Sequence, residues 1–333
     1  MADLLRRTRE AREQEERHRL APVATLSGES KGRALEEEPD EFRTDFERDR
    51  DRILHSKAFR RLKHKTQVFI NPEGDHYVTR LTHTLQVMQV GRSLAAALGL
   101  NETLTEAICL GHDVGHSPFG HTGEEALSPF VDGEWLHSYQ SVRVLSVLEP
   151  QNLTWEVLDG IRAHTWRVEP PPATPEGLLT RFADRIAYLT HDLEDALRGG
   201  VITYGDIPRR ALGTFGKPGR EWIATMIRAV VEESVRTGGV AMDPQTLEAM
   251  NEFREFMFDQ VYVRPANEHQ KQGAITVIRD LVDYFREHPG EIPETYRHQD
   301  AGVSIQAVDY VSGMTDRFAL HIHDRLFRPE GLD

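Results

Sequence analysis

An all-α fold is predicted by three observations. Apolar residues recur at helical spacing through most of the chain, convincing strand alternation is scarce, and capping and stopping residues stand where the helical patterns begin and end. The 333 residues, 39% hydrophobic and 28% charged, are enough for one large helical domain or two closely packed ones. This composition excludes wholesale disorder and fibrous architectures. No internal repeat is evident.

Residues 1–40 are charged, poor in large apolar groups and end in "EEEPDE", so a charged N-terminal arm, frayed or mobile, is expected there. From Phe42 onward the pattern is mainly helical. "RLTHTLQVMQVGRSLAAALG" places Leu81, Leu85, Met88 and Leu94 at roughly helical spacing, with Gly99 as its stop. Asn101 then caps "ETLTEAICLGHD". After Asp113, residues Gly115, Pro118, Gly120 and Gly123 predict an ordered loop rather than a continued helix. "RVEPPPATPEG" (167–177) breaks the periodicity, and a long helix follows to about Arg198, closed by Gly199 and Gly200. Amphipathic stretches recur near 219–237, 244–261, 272–287 and 303–325. The expected organisation is an arm over 1–40, a core over 41–205 and a helical C-terminal region over 206–333 packed on that core.

The net charge is −14, and the acidic excess lies downstream of residue 65. Such a body does not present a general nucleic-acid surface; "RRLKHK" (60–65) is either a solvated helix face or a local contact for a phosphate-bearing ligand. No apolar run approaches the roughly 18 residues that span a bilayer, and the N-terminus lacks the apolar segment of a signal peptide, so a cytoplasmic location is expected. The single cysteine, Cys109, cannot form an internal disulfide and reads as inert packing.

Titratable groups concentrate in "CLGHDVGHSPFGHTGEEAL" (109–127). His112 and Asp113 would point about 100° apart on an ideal helix, a constraint relaxed near a helix end. Gly111 and Gly115 permit close backbone approach, and imidazole with carboxylate suits a divalent cation such as Mn, Fe, Zn, Mg or Ni. His83 is either a satisfied core histidine or a further ligand. In "RFADRIAYLTHDLEDAL" (181–197), Phe182, Ile186, Leu189 and Leu193 define a buried stripe, while Asp184, Tyr188 and Asp192 line up on another face. That second face is either pocket or surface, and a phenol between two carboxylates favours the pocket. His116 and His121 can face one cavity, and the spacing of His121 and Glu124 allows a carboxylate to orient an imidazole.

"RLTHTLQV", "HDVGHSPFGHTGE" and "ADRIAYLTHDLED", in that order, resemble the HD-domain superfamily and specifically the deoxynucleoside triphosphate triphosphohydrolases, the dGTPase family. "RDRDRILHSKAFRRLKHKTQVF" (48–69) and "DYVSGMTDRFAL" (309–320) are similar to further segments of that family. The resemblance implies an HD-domain helical core with additional C-terminal helices. It implies one divalent metal per site, Mn or Mg first and Ni, Fe or Zn also compatible, held by His83, His112, Asp113 and Asp184. Ligands for a second metal are not recognisable.

The implied reaction is attack of water on the α-phosphorus of a dNTP, releasing deoxynucleoside and inorganic triphosphate. His121 and Glu124 become its acid/base pair and His116 a phosphate contact. Arg80, one turn before His83, is placed to bind triphosphate through a fork of donors. His137 and Arg143, in "WLHSYQSVRVL", match a further segment and are expected to assist. Gln67, Tyr188 and Asp192 occupy positions that in relatives resemble the wall against C2′ and the 3′-hydroxyl contacts, which favour deoxyribose. A homo-oligomer is expected, and a nucleotide activator and single-stranded nucleic acid are further partners to consider. The alternatives are an HD-type nucleotide phosphomonoesterase or phosphodiesterase, and a non-catalytic nucleotide- or single-stranded-nucleic-acid-binding module. The products distinguish them.

Overall fold

The computed structural model describes residues 4–67, 78–262 and 268–328. Val68 and Phe69, at the end of the N-terminal motif, lie outside the described residues. Among the described residues, fifteen α-helices run in the order α1 (Arg9–Arg19), α2 (Asp45–His55), α3 (Lys57–Arg61), α4 (Arg80–Leu98), α5 (Glu102–Gly111), α6 (His121–Leu127), α7 (His137–Arg143), α8 (Trp155–Ala163), α9 (Pro175–Arg198), α10 (Arg209–Phe215), α11 (Arg220–Thr237), α12 (Pro244–Met257), α13 (Glu268–Glu287), α14 (Val303–Ser312) and α15 (Asp316–Phe327). No strand occurs among the described residues, where pairing is limited to the isolated bridges Arg33 with Thr154 and Thr66 with Thr79. No helix among them is long and apolar enough to cross a membrane.

The helix ends follow local chemistry. Gly99 closes α4 at φ 67°, and the Asn101 side chain accepts from the Thr103 and Leu104 N–H groups at 3.1 and 3.2 Å to start α5. Pro175 stands in the first turn of α9, where its missing N–H costs nothing, and the Thr174 hydroxyl caps it. The α9 stripe is buried as its spacing predicts, through Phe182, Ile186, Leu189 and Leu193.

The α4 stripe differs. Leu85 is exposed, and the buried face runs through Val87, Val90, Gly91, Leu94 and Ala95. Close approach selects small residues there: a Cβ on Gly91 would lie 2.9 Å from Cys109 Sγ and 3.5 Å from Ala183 Cβ. Helices α4, α5 and α9 meet at that point, and they carry the predicted ligands. The 303–325 stretch is also two helices rather than one, broken at Gly313 before Thr315 caps α15.

Three apolar clusters fill the interior. One joins α4 and α9 to α10, α11 and α12; a second joins α2, α3, α5 and α8; a third joins α6 to α13, α14 and α15. The charged N-terminal segment is fastened to this body by buried carboxylates rather than by apolar area. Glu16 accepts from Ser27 N–H and its hydroxyl at 2.7 and 2.8 Å within the segment, and from the Asn101 side-chain amide of the body at 3.4 Å. Glu156 receives the Ser30 hydroxyl and Lys31 N–H, both at 2.7 Å. Glu176, in α9, accepts from Thr25 N–H at 3.1 Å, the Thr25 hydroxyl at 2.7 Å and Asn101 N–H at 2.9 Å.

Removing Glu176 strands three donors, each of which costs about 1 kcal/mol or more when left unsatisfied. Glu176→Ala is therefore expected to lower the unfolding free energy by about 3 kcal/mol and to speed tryptic cleavage within residues 4–40. Unchanged denaturation and cleavage would show that the segment is fastened elsewhere.

Candidate metal centre and active site

Helix α5 ends at Gly111, and His112 is its C-cap. The next turn resolves the geometric problem of adjacent ligands by swinging the Asp113 carboxylate back beside the His112 ring. Ser141 pins the turn: its hydroxyl donates to His112 C=O at 2.8 Å and accepts from Gly115 N–H at 3.0 Å. Gly115 is required, because a Cβ there would lie 2.2 Å from Ser141 N.

The His112 ring donates through Nδ1 to Cys109 C=O at 2.6 Å, which directs the Nε2 lone pair into the site. This Nε2 is buried and has no hydrogen-bond partner. It lies 3.6 Å from Asp113 Oδ2 and 3.8 Å from Asp184 Oδ1. His83 Nε2, from α4, is 3.2 Å from Asp184 Oδ1 and 4.0 Å from Asp113 Oδ2.

Burial opposes ionisation of Asp184, but the His83 hydrogen bond and the neighbouring imidazoles outweigh it and hold the carboxyl down to about 2. Asp113 is likewise held well below the usual range against its burial, by His112 and Arg80. Burial lowers the His112 pKa and favours its neutral form. His83, His112 and Asp184 bring ligand atoms close enough to share one divalent metal, and Asp113 joins His112 and His164 in an overlapping group; ionised carboxylates beside a neutral imidazole with a free lone pair suit such an ion.

Beside this cluster, Glu124 serves two histidines. Its Oε2 is 3.0 Å from His121 Nδ1, and its Oε1 receives His137 Nδ1 at 2.7 Å and His137 N–H at 3.1 Å. His137 Nε2 is 3.1 Å from Nε2 of His164. The His164 Nδ1–H is taken by Ile161 C=O at 2.8 Å, so His164 accepts and His137 donates from both ring nitrogens. Burial lowers the His137 pKa, yet the Glu124 carboxylate raises it overall. His164 is pushed down to about 3 by burial and by its neighbours His112 and His137. His116 stacks on His137 with ring centroids 4.6 Å apart and lies 5.7 Å from the His121 ring. His121 itself is exposed while Glu124 is buried.

Arg80 is buried. Its Nη1 donates to Asp113 Oδ2 at 2.8 Å, its Nη2 lies 3.4 Å from Gln67 C=O, and its Nε has no partner. The side-chain oxygen of Gln67 is also buried without a partner. Asp192 accepts from the Tyr262 hydroxyl at 2.8 Å, and Tyr188, one turn before it on α9, packs against the first apolar cluster.

Arg143 is not free to meet a triphosphate as expected. Its guanidinium is engaged by Asp309, with Nε to both carboxylate oxygens at 2.9 and 2.8 Å, and by Asp300 at 3.1 Å. The buried Asp309 carboxylate demands a cation, and Arg143 supplies it.

Three residues were not singled out from sequence. His164 is a lone histidine ahead of a proline-rich connection, and Tyr262 comes from a distant helix end. Lys65 belongs to a basic run that looks solvated, yet it is wholly buried and donates to His116 C=O and, at 3.0 Å, to Ser312 C=O.

The fold and site define an HD-domain phosphohydrolase: the HD domain model matches residues 80–189 and the phosphohydrolase-associated domain model matches residues 240–325. A deoxyguanosinetriphosphate triphosphohydrolase-like protein of Caldanaerobacter subterraneus subsp. tengcongensis is 46% identical over 97% of this chain and 96% of its own length. One of Clostridium perfringens (strain SM101 / Type A) is 42% identical over 97% of this chain and 98% of its own. A hypothetical protein from Aquifex aeolicus, known by crystal structure, is similar over 85% of this chain and 68% of that one, at 22% identity and a TM-score of 0.49. The chain belongs to the deoxyguanosinetriphosphate triphosphohydrolase-like family.

Burial raises the Asp192 carboxyl to about 7, with the Tyr262 hydrogen bond opposing. A carboxyl whose folded pKa exceeds its unfolded value binds more protons folded than unfolded, so its contribution to stability is lost as pH rises through the folded pKa. Asp192→Asn is therefore expected to match wild type near pH 4 and to be more stable at pH 8, by up to about 4 kcal/mol. Denaturant titrations at the two pH values check this; an equal difference at both would remove the titration from the explanation.

Proposed function

We propose that the chain is a metal-dependent hydrolase of deoxynucleoside triphosphates, releasing deoxynucleoside and inorganic triphosphate and so contributing to control of the dNTP pool. The observation that carries this reading is the unpartnered, buried His112 Nε2 among Asp113, Asp184 and His83, beside the His121–Glu124 pair. His83, His112, Asp113 and Asp184 would hold the divalent ion, Mn or Mg. When bound, it supplies Lewis-acid polarisation of phosphate oxygens.

The protein groups account for the rest. Glu124 holds His121 through Nδ1, leaving Nε2 for proton transfer to the 5′-oxygen as water adds at the α-phosphorus and the P–O5′ bond breaks. An alkoxide leaving group needs that proton. His137, buried and donating from both ring nitrogens, keeps Glu124 ionised and in place, and His116, stacked on His137, would be a phosphate contact. Arg80, with a spare buried Nε donor, faces the triphosphate. Gln67, Tyr188 and Asp192 would receive the sugar, the phenol against C2′ excluding a ribose hydroxyl and Asp192 meeting the 3′-hydroxyl.

Incubation with each of the four dNTPs and Mn or Mg is expected to yield deoxynucleoside and triphosphate. Orthophosphate from a nucleoside monophosphate would instead indicate a phosphomonoesterase. Asp113→Ala is expected to lose both metal and turnover, measured by elemental analysis and product formation; full metal occupancy in that variant would overturn the ligand assignment.

His121→Ala is expected to keep its metal and lose about 10²–10⁴-fold in kcat, the usual scale for one acid/base group. A loss of tenfold or less, with an unchanged pH profile, would make His121 a phosphate ligand instead.

A further inference from the structure

The loop that carries His116 and leads into His121 has an unfavourable backbone. Phe119 lies at φ 60° and Gly120 follows at φ 62°. A residue with a Cβ is disfavoured in that left-handed region and persists there when its surroundings hold it. The restraint comes from the far end of the chain. Asp316, the first residue of α15, accepts from Phe119 N–H at 3.1 Å through Oδ1 and from Thr66 N–H at 3.0 Å through Oδ2.

Both tied segments flank Arg80. Thr66 is bridged to Thr79, the N-cap of α4, and Arg80 N–H donates to Lys65 C=O at 3.1 Å. The Arg80 guanidinium lies between the two segments, with Nη2 3.4 Å from Gln67 C=O and 3.3 Å from where a Cβ on Gly120 would stand. One carboxylate thus draws together the two stretches of backbone that bracket the arginine. Lys65 adds a parallel tie, joining His116 C=O to Ser312 C=O at the end of α14.

We propose that Asp316 is a positioning residue: by accepting from Phe119 and Thr66 together it holds the His116–His121 loop against the segment before α4, and so sets the places of Arg80 and His121 without touching substrate. This role rests on the hydrolase reading given above. It makes the C-terminal helices part of the active-site frame, and it gives the phosphohydrolase-associated region a mechanical task in the reaction. Small misplacements suffice, since an error of about 1 Å in reacting groups costs on the order of 10²-fold in rate.

The test compares full-length wild type, Asp316→Asn and, as a control on the same helix, Arg317→Ala, whose side chain is exposed. Asparagine keeps the shape but presents an NH₂ to one of the two N–H donors. Asp316→Ala, which withdraws both acceptors, replaces it if the asparagine variant does not fold. The measurements are hydrogen–deuterium exchange of the peptides containing Thr66 and Phe119, metal content, and steady-state kinetics with a dNTP well below the melting temperature.

The expected result is exchange at least tenfold faster in those two peptides, with α9 protected as in wild type. Metal content should be retained, and kcat/KM should fall at least tenfold, while Arg317→Ala matches wild type throughout. Unchanged exchange at both peptides would overturn the tie. Faster exchange with kcat/KM within twofold of wild type would overturn the positioning role. Faster exchange everywhere with loss of metal would reduce Asp316 to a general stabilising residue. If wild type itself turned over no dNTP, the hydrolase reading would fall, while the exchange measurement would still decide whether the tie exists.

Discussion

The structure depends on keeping two ionised carboxylates, the buried Asp113 and the half-buried Asp184, against one cluster of histidines. Taking a carboxylate out of water costs several kcal/mol unless close partners compensate. Here the partners are Arg80 at 2.8 Å from Asp113 and His83 at 3.2 Å from Asp184. Those distances require α4, α5 and α9 to approach closely. The approach is made possible by small side chains at the crossing, Gly91 against Cys109 and Ala183. Cys109 fills space there and is chemically quiet, its thiol pushed up to about 12 by burial. Its carbonyl does further work by fixing the His112 tautomer.

A second buried carboxylate system is built beside the first on the opposite logic. Glu124 is surrounded by donors and holds two imidazoles, one exposed and one buried. His164 closes the chain of contacts by offering His137 an acceptor rather than a donor, because its own proton is committed to Ile161. The buried histidine is thereby fixed and charged, and His121 is left with solvent access and an orienting partner. In the proposed reaction, proton transfer falls to His121 and charge storage to Glu124 and His137. In a low-dielectric site this separation allows one imidazole to exchange its proton while the carboxylate that orients it keeps its charge.

Much of this was legible in the sequence where periodicity is long or motifs are ordered. The 24-residue α9 displays its buried stripe and its aspartate face directly, and "RLTHTLQV", "HDVGHSPFGHTGE" and "ADRIAYLTHDLED" contain the residues that converge. What escaped had physical reasons. In α4 burial does not follow side-chain size: Leu94 is buried but Leu85 is exposed, while close helix contact buries Val87 and Gly91. The charged N-terminal segment looks free by hydropathy, yet it is held by carboxylates of the body whose donors are backbone N–H groups and hydroxyls, which leave no apolar pattern. Lys65 looks solvated because its acceptors are main-chain carbonyls 51 and 247 residues away. The ion pair of Arg143 was not legible because its partner, Asp309, lies 166 residues downstream.

Helix α9 shows how one element serves two kinds of chemistry. Asp184 and Asp192 lie two turns apart on it, Asp192 buried and Asp184 half-buried at the rim of the histidine cluster. Asp184 faces His83 and His112 and is held down to about 2. Asp192 faces the Tyr262 hydroxyl and is raised to about 7. A phenol donates a hydrogen bond but brings no positive charge, so it offsets only part of the desolvation that an imidazole cluster overcomes. The metal end of the helix therefore presents fixed negative charge. The other end presents a carboxyl that is close to neutral, suited to exchanging hydrogen bonds with a hydroxyl instead of attracting a cation. Two side chains of one type, eight residues apart, are separated in role by their neighbours, which are drawn from α4, α5 and the turn that follows α12.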